Sequence, residues 1–137
     1  MGRVFATVIT LIIAAEVFSN GLISLRFIDS LVYLSQHLGF GAVGIGALMT
    51  VMIFGASILM GSGNASFFSF GPLVPDIASK LGADPASIIL PMQLSSSLGR
   101  AISPIAGVVI ATSEIAGVTP LEVAKRNFLP LTITLIA

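Results

Sequence analysis

The 22 residues from Gly39 to Met60 contain no charged side chain. A stretch of this length allows an α-helix to cross the hydrocarbon core of a bilayer, which takes about 20 residues. Charged residues make up only 9% of the whole chain, against about 25% in soluble domains. Because unpaired backbone groups cannot face lipid, spanning segments of this kind are helical. The sequence therefore predicts an all-α polytopic membrane protein.

Several functional classes are disfavoured by what the sequence lacks. The net charge is zero, so no basic excess indicates nucleic-acid binding. There is no Cys and only one His, His37, which leaves no cluster suited to a metal site. No nucleophile elbow, phosphate-binding loop or pair of carboxylates beside a His is present. We therefore expect no enzymatic activity, no metal and no cofactor.

The first two predicted helices differ in character. Residues 4–25 are mostly apolar, with Glu16, Ser19 and Asn20 among their few polar residues, and they predict a transmembrane helix. Residues 27–38 place polar side chains on one helical face and apolar side chains on the other. This amphipathic segment is too short to span a bilayer, so we expect an interfacial helix.

A re-entrant hairpin is predicted for residues 45–81. Its two apolar arms are separated by the Gly-rich segment 61–66 and by no charged loop. The second arm, 67–81, ends at Gly82, a residue type that commonly follows a helix. We expect 61–66 to be a turn between helical arms, with its tip inside the membrane.

Residues 85–113 predict one transmembrane helix that is broken in its middle. Asp84 and Pro85 form a helix start, with an N-cap followed by a proline at the first helical position. The polar segment 95–103, which contains three consecutive serines, is expected to be the break. The second half is expected to begin near Ser103.

The last predicted helix covers residues 119–137. Thr119 and Glu122 have the spacing of a capping box, with Pro120 at the first helical position. The final apolar run, 128–137, is about half the length that spans a bilayer. We expect a truncated transmembrane helix and a chain that is a fragment of a longer protein. A short buried terminal helix is the alternative.

The two predicted breaks, 61–66 and 95–103, form the candidate binding site. Non-helical backbone at membrane depth is tolerated where it is buried in protein or lines a cavity. Half-helix N-termini there stabilise an anion by about 0.3–1 kcal/mol, and hydroxyl and amide groups add neutral donors. This set favours a carboxylate that binds and leaves. The candidate substrate-binding residues are Ser62, Gly63, Asn64, Ala65, Ser95, Ser96, Ser97, Gly99, Arg100 and Ser103.

Two charged residues in the predicted spans allow alternative interpretations. A charge at bilayer depth costs at least about 2.5–3.5 kcal/mol, which favours a functional role for Arg100. Arg100 could equally cap the C-terminus of the first half-helix. Glu16 either takes part in ion coupling or forms a structural hydrogen bond. A lone serine in an apolar helix usually bonds only its own backbone, whereas three beside Gly and Arg favour a site.

Six different short motifs lie between the first break and the last helix. They are Gly61-Ser62-Gly63-Asn64-Ala65, Leu90-Pro91-Met92, Leu98-Gly99-Arg100, Ser103-Pro104, Gly107-Val108-Val109 and Glu122-Val123-Ala124-Lys125-Arg126. In combination they resemble the anaerobic C4-dicarboxylate carriers of the Dcu C type. The resemblance covers this whole chain but only the C-terminal portion of a full carrier. Where related carriers place a Ser-Asn pair at the second break, this chain has Ser96-Ser97.

The resemblance implies one half of an inverted-repeat transporter of the ion transporter superfamily. It implies secondary transport of succinate, fumarate or malate across the bacterial inner membrane, coupled to H⁺ or Na⁺. The implied partners are the dicarboxylate, the lipid bilayer and the N-terminal repeat of the carrier. Assembly into a homodimer is a further possibility. A carrier for another organic anion, such as a short-chain fatty acid or gluconate, is one alternative. A non-transporting membrane half-protein is the other.

Overall fold

The computed structural model describes residues 2–137, and the regular elements of this part of the chain are all helices, without strands. Three segments are long and apolar enough to cross a membrane: Gly2–Ser24, Gly41–Met60 and Pro85–Ala116. A 3-10 turn, Gly71–Leu73, connects the fourth and fifth helices. The helices in chain order are α1 (Gly2–Ser24), α2 (Phe27–Leu38), α3 (Gly41–Met60), α4 (Gly63–Phe70), α5 (Val74–Leu81), α6 (Pro85–Ile102), α7 (Gly107–Ala116) and α8 (Pro120–Ile136).

Helices α3 and α6 form the centre of the fold and share its largest contact. Their facing side chains recur every four residues along each helix, as one helical face requires. The fully or almost fully buried apolar side chains of this face are Ile45, Met49, Ile53, Ile88 and Met92. Nearer the C-terminus of α6, Gly99 lets the helices approach closely. A Cβ atom there would lie 2.7 Å from the Phe54 carbonyl oxygen.

Helix α2 packs its apolar face, including Ile28 and Leu31, against the rest of the chain. It is joined to α5 by an exposed ion pair between Asp29 and Lys80. The hydrogen bond and the charge of Lys80 lower the pKa of the Asp29 carboxyl. The helix has the predicted bounds, Phe27–Leu38. Its location at a membrane interface stays a prediction.

The predicted turn at 61–66 is wrong for its last four residues. Helix α3 ends at Met60, Gly61 takes the left-handed conformation with φ 65°, and α4 begins at Gly63. The helix starts this early because Ser62 is an N-cap, whose Oγ accepts a hydrogen bond from the Ala65 N–H at 3.2 Å. Only two residues, Gly61 and Ser62, therefore separate the two arms.

The predicted break at 95–103 is also placed wrongly. Helix α6 continues through the serines to Ile102, and α7 begins at Gly107 rather than near Ser103. The serine hydroxyls donate to carbonyls of their own helix, as Ser95 does to Met92 at 2.9 Å, so they do not interrupt it. The interruption comes from Pro104. A proline disfavours the helical conformation for the preceding residue, and Ser103 is extended with ψ 123°.

The predicted helix starts at Asp84 and Thr119 are confirmed. The Asp84 carboxylate accepts from the Ala86 N–H at 3.2 Å. Thr119 and Glu122 form the complete capping box that opens α8. The Glu122 carboxylate accepts from the Thr119 N–H at 2.9 Å. Both starts were predictable because they depend on side chains within one helical turn.

Candidate functional site

The two interruptions of the helices lie against each other in space. A Cβ atom on Gly61 would lie 3.1 Å from the Ile105 carbonyl oxygen and 3.2 Å from the Ala106 nitrogen. Residues 61–62 and 103–106 therefore pack together, and we call this pair of segments the break junction. It is a place where two stretches of non-helical backbone meet between helices that are apolar enough to span a membrane.

The break junction is held by a hydrogen bond that crosses it. The buried hydroxyl of Ser103 donates to the carbonyl oxygen of Ile58 at 2.6 Å. That oxygen is one of the last four carbonyls of α3, which have no partner within their own helix. Ser103 was predicted to bind substrate. Its hydroxyl ties the second break to the end of the first arm, and substrate binding by Ser103 stays a prediction.

Small side chains bring α4 against its neighbours. A Cβ atom on Gly63 would lie 2.7 Å from the Ser96 carbonyl oxygen, so the start of α4 touches the backbone of α6. Ser57 of α3 and Ser66 of α4 share a buried hydrogen bond between their hydroxyls. Ser57 was not among the residues selected from the sequence. The signal in the sequence was its spacing, since Ser57 continues the buried face of α3 four residues after Ile53.

The predicted site residues divide into a half-buried, a buried and an accessible group. Ser62 and Ala65 are half-buried. The buried ones, in contact with backbone, are Gly63, Ser95, Ser96, Gly99 and Ser103. The accessible ones are Asn64, Ser97 and Arg100. Ser95 and Ser96 donate to Met92 and Gln93 within α6, so their hydroxyl protons are already occupied.

The accessible group is the part of the site that is open to a ligand. Arg100 makes no ion pair within residues 2–137. Ser97 and Gln93 precede Arg100 by three and seven residues, and both lie on the same face of α6 as Arg100. Gln93 was not among the predicted site residues because it precedes the predicted break. The signal in the sequence was the i, i+4, i+7 spacing of Gln93, Ser97 and Arg100, which places all three on one helical face.

The N-terminus of α7 is a further polar feature of the break junction. Its N-cap, Ala106, has no side chain that can accept a hydrogen bond from the first N–H groups. Those groups carry the partial positive charge of the helix end. In contrast, the start of α4 is already capped by Ser62. The junction therefore offers one uncapped helix end.

No backbone hydrogen bond or ion pair joins Glu16 to the break junction among residues 2–137. Glu16 is exposed on α1, a helix that contacts α2, α4 and the 3-10 turn. The neighbouring Ser19 donates to the Ser69 carbonyl at 2.8 Å and fixes the buried face of α1. Glu16 makes no ion pair in the described part of the chain. The contact of Gly63 with Ser96 thus joins the predicted residues of α4 to those of α6, and the role of Glu16 stays a prediction.

The fold and the site define the chain as an all-helical membrane protein with two interruptions of its helices in contact. Over residues 1–137 it matches the family of C4-dicarboxylate anaerobic carriers. The chain belongs to this family, which confirms the resemblance carried by the sequence motifs. The family is one of transporters.

Two relatives are similar over almost the whole chain. A Vibrio cholerae protein named as a probable anaerobic C4-dicarboxylate transporter is 41% identical over 136 residues, which are 99% of this chain and 30% of that protein. The anaerobic C4-dicarboxylate transporter of Escherichia coli is 36% identical over 136 residues, again 99% and 30%. The chain therefore spans 30% of the length of these relatives. No solved structure gives a significant match.

Proposed function

We propose that this chain is part of a secondary carrier that moves C4-dicarboxylates such as succinate, fumarate and malate across the bacterial inner membrane. Family membership supports the substrate class, since relatives of similar sequence are named for it. The observation that carries the proposal is the contact between Gly61 and residues 105–106. Paired interruptions of spanning helices are the usual setting of substrate sites in secondary transporters.

The proposed architecture is the second of two inverted repeats. In it, α3 to α5 form a re-entrant hairpin with Gly61 and Ser62 at its tip. Helices α6 and α7 form one discontinuous transmembrane helix interrupted at 103–106. The N-terminal repeat would cover the open side of the break junction, because an exposed arginine is costly on a surface that faces lipid. Substrate would then lie between the repeats.

The proposed chemistry is recognition of a dianion by one cation and several neutral donors. Arg100 would hold one carboxylate through two parallel N–H bonds. Asn64 and the uncapped end of α7 would supply further donors. The Ser97 hydroxyl, which donates to the Gln93 carbonyl at 3.2 Å, would have to turn from its own helix to join them. A single arginine keeps binding weak enough for release. Coupling to H⁺ or Na⁺ would supply the driving force, and Glu16 is the proposed coupling residue of this chain.

Transport by the full-length carrier tests the proposal. Purified carrier is reconstituted into liposomes, and uptake of labelled succinate is measured with unlabelled fumarate, butyrate or gluconate as competitors. Inhibition by fumarate and not by butyrate or gluconate is expected. Inhibition by butyrate or gluconate alone would assign the carrier to another organic anion. Absence of uptake of every labelled anion would point to a non-transporting protein.

Coupling and assembly are tested on the same preparation. A pH gradient and a Na⁺ gradient are imposed separately, and the ion whose gradient drives succinate accumulation is the coupling ion. Glu16→Gln should lower accumulation under that gradient without changing exchange of internal for external succinate. The mass of the detergent-solubilised carrier, measured by light scattering, separates a monomer from the proposed homodimer.

A further inference from the structure

Helix α6 carries a polar stripe on its exposed face, formed by Gln93, Ser97 and Arg100. Positions four and seven apart lie above one another on a helix, so the three side chains form one line. The opposite face, with Ile88 and Met92, is buried against α3. The stripe is thus separate from the packing core of the fold.

The polar stripe lies between two neighbouring helices. On one side, Ser96 of α6 contacts the start of α4 at Gly63. On the other side, Asn127 of α8 donates its amide N–H to the Ala101 carbonyl oxygen at 3.2 Å. The exposed Asn64 directly follows the α4 contact. The stripe is therefore an exposed line of side chains between the places where α6 touches α4 and α8.

Gln93 makes no side-chain hydrogen bond to any other described residue. Its backbone carbonyl accepts from Ser96 at 2.9 Å and from Ser97 at 3.2 Å. Its amide donors and acceptor are free. In a helix apolar enough to span a membrane, a free amide on the same face as an arginine indicates that this face lines a polar cavity.

We propose that Gln93 is a specificity-determining residue that binds the second carboxylate of the substrate, opposite the carboxylate held by Arg100. This inference rests on the proposed function. The seven residues between them correspond to a rise of about 10.5 Å along the helix. Both side chains lean toward the N-terminus of α6, and the Arg100 side chain is the longer one, so its guanidinium reaches back further than the Gln93 amide moves away, which shortens the gap. The remaining space suits a short dianion with its two charges at opposite ends.

Competition binding on the purified full-length carrier tests this assignment. Labelled succinate is displaced by succinate, by the longer dianion glutarate and by the monoanion butyrate, for the unmodified carrier and for Gln93→Ala, Gln93→Glu and Gln93→Asn. Gln36 is the matched control, because it is the other glutamine of the chain and lies exposed on α2. Melting temperature in detergent is measured for every variant.

Gln93→Ala should weaken succinate binding by about tenfold, since a hydrogen bond to a charged group is lost. Butyrate binding should stay within about twofold, because butyrate has no second carboxylate for Gln93 to meet. Gln93→Glu should weaken succinate further through repulsion between like charges. Gln93→Asn should shift preference toward glutarate, because the shorter side chain widens the gap.

Three outcomes would overturn the assignment. Unchanged succinate affinity in Gln93→Ala and Gln93→Glu would show that Gln93 does not contact the substrate, while leaving the proposed function intact. Equal losses for succinate and butyrate with a lower melting temperature would assign Gln93 to folding. Absence of succinate binding by the unmodified carrier would defeat the proposed function itself, and the role of Gln93 with it.

Discussion

The Cα atom of Gly63 packs directly against the carbonyl group of Ser96. A Cβ atom at position 63 would lie 2.7 Å from that oxygen and 3.1 Å from its carbon. Both atoms belong to backbone, so the neighbour cannot move aside as a flexible side chain would. This contact sets how closely the hairpin approaches α6. Any substitution at Gly63 must therefore separate α4 from α6.

Gly63→Ala should destabilise the full-length carrier by about 1–3 kcal/mol, the usual cost of overpacking. The measurement is thermal unfolding in detergent. Gly55→Ala is the control, because a Cβ at Gly55 would have no neighbour within 4 Å. There the better helix propensity of alanine should raise stability by up to about 1 kcal/mol. Equal melting temperatures for the two variants would contradict the close contact.

Ser103→Ala should lower stability rather than succinate affinity. It removes the donor to the Ile58 carbonyl, and an unpaired buried acceptor costs about 1–3 kcal/mol. Melting temperature and succinate affinity of the folded fraction are measured together. Thr112→Val is the control, because the Thr112 hydroxyl is exposed and bonds only its own helix. A loss of affinity without a loss of stability would return Ser103 to the substrate contacts.

The ion pair between Asp29 and Lys80 should stabilise the docking of α2 only above acidic pH. Lys80 lowers the pKa of Asp29 in the folded protein, so this contribution is present above the unfolded pKa of 3.8 and is lost as pH falls through the lower folded value. Asp29→Asn should lower the melting temperature slightly at pH 7. The difference from the unmodified carrier should vanish in acid.

Asp76→Asn is the matched control for this pH dependence. Asp76 is exposed in the first turn of α5 and makes no ion pair among residues 2–137. Exposed ion pairs contribute little to stability. The melting temperatures of Asp29→Asn and Asp76→Asn are therefore compared with each other at each pH. The pairing would have no energetic role if the two asparagine variants lost the same stability at neutral pH.

The accessibility of Ser62 distinguishes a re-entrant tip from an aqueous loop. Ser62→Cys, placed in the full-length carrier, should react slowly with a membrane-impermeant thiol reagent, because Ser62 is half-buried in the break junction. Succinate should slow the reaction further. Ser87→Cys, on the exposed first turn of α6, is the comparison site. Rapid labelling of both positions, unaffected by succinate, would identify residues 61–62 as an ordinary loop.

The sequence predicted those features that depend on a few neighbouring residues. The start of α8 followed from Thr119 and Glu122, and the end of α5 followed from Gly82. The position of the second break did not follow from the sequence. Serines such as Ser95 to Ser97 can either interrupt a helix or donate to carbonyls within it. In the structure they bond within it. Contacts such as that of Ser103 with Ile58 join residues 45 positions apart, and a sequence pattern contains no signal for them.

Arg100 should matter more for anion binding than for folding. It is exposed, in the last turn of α6, and has no ion-pair partner within the described residues. Lysine keeps the charge but cannot form the two parallel bonds that a guanidinium makes with a carboxylate. Arg100→Lys should therefore weaken succinate binding by about tenfold or more, a loss of about 1.4 kcal/mol or greater. Arg100→Gln, which also loses the charge, should bind succinate more weakly still.

Stability separates this role from capping of the C-terminus of α6. A capping arginine would interact with the last carbonyls of the helix, and lysine would largely replace it. In that case Arg100→Lys would bind succinate normally, and Arg100→Gln would melt at a lower temperature. Lys125→Gln is the matched control, since Lys125 is exposed on α8 outside the break junction. Because α6 already ends through Pro104 and the extended Ser103, it does not depend on a charged cap, and we expect both Arg100 variants to melt close to the unmodified carrier.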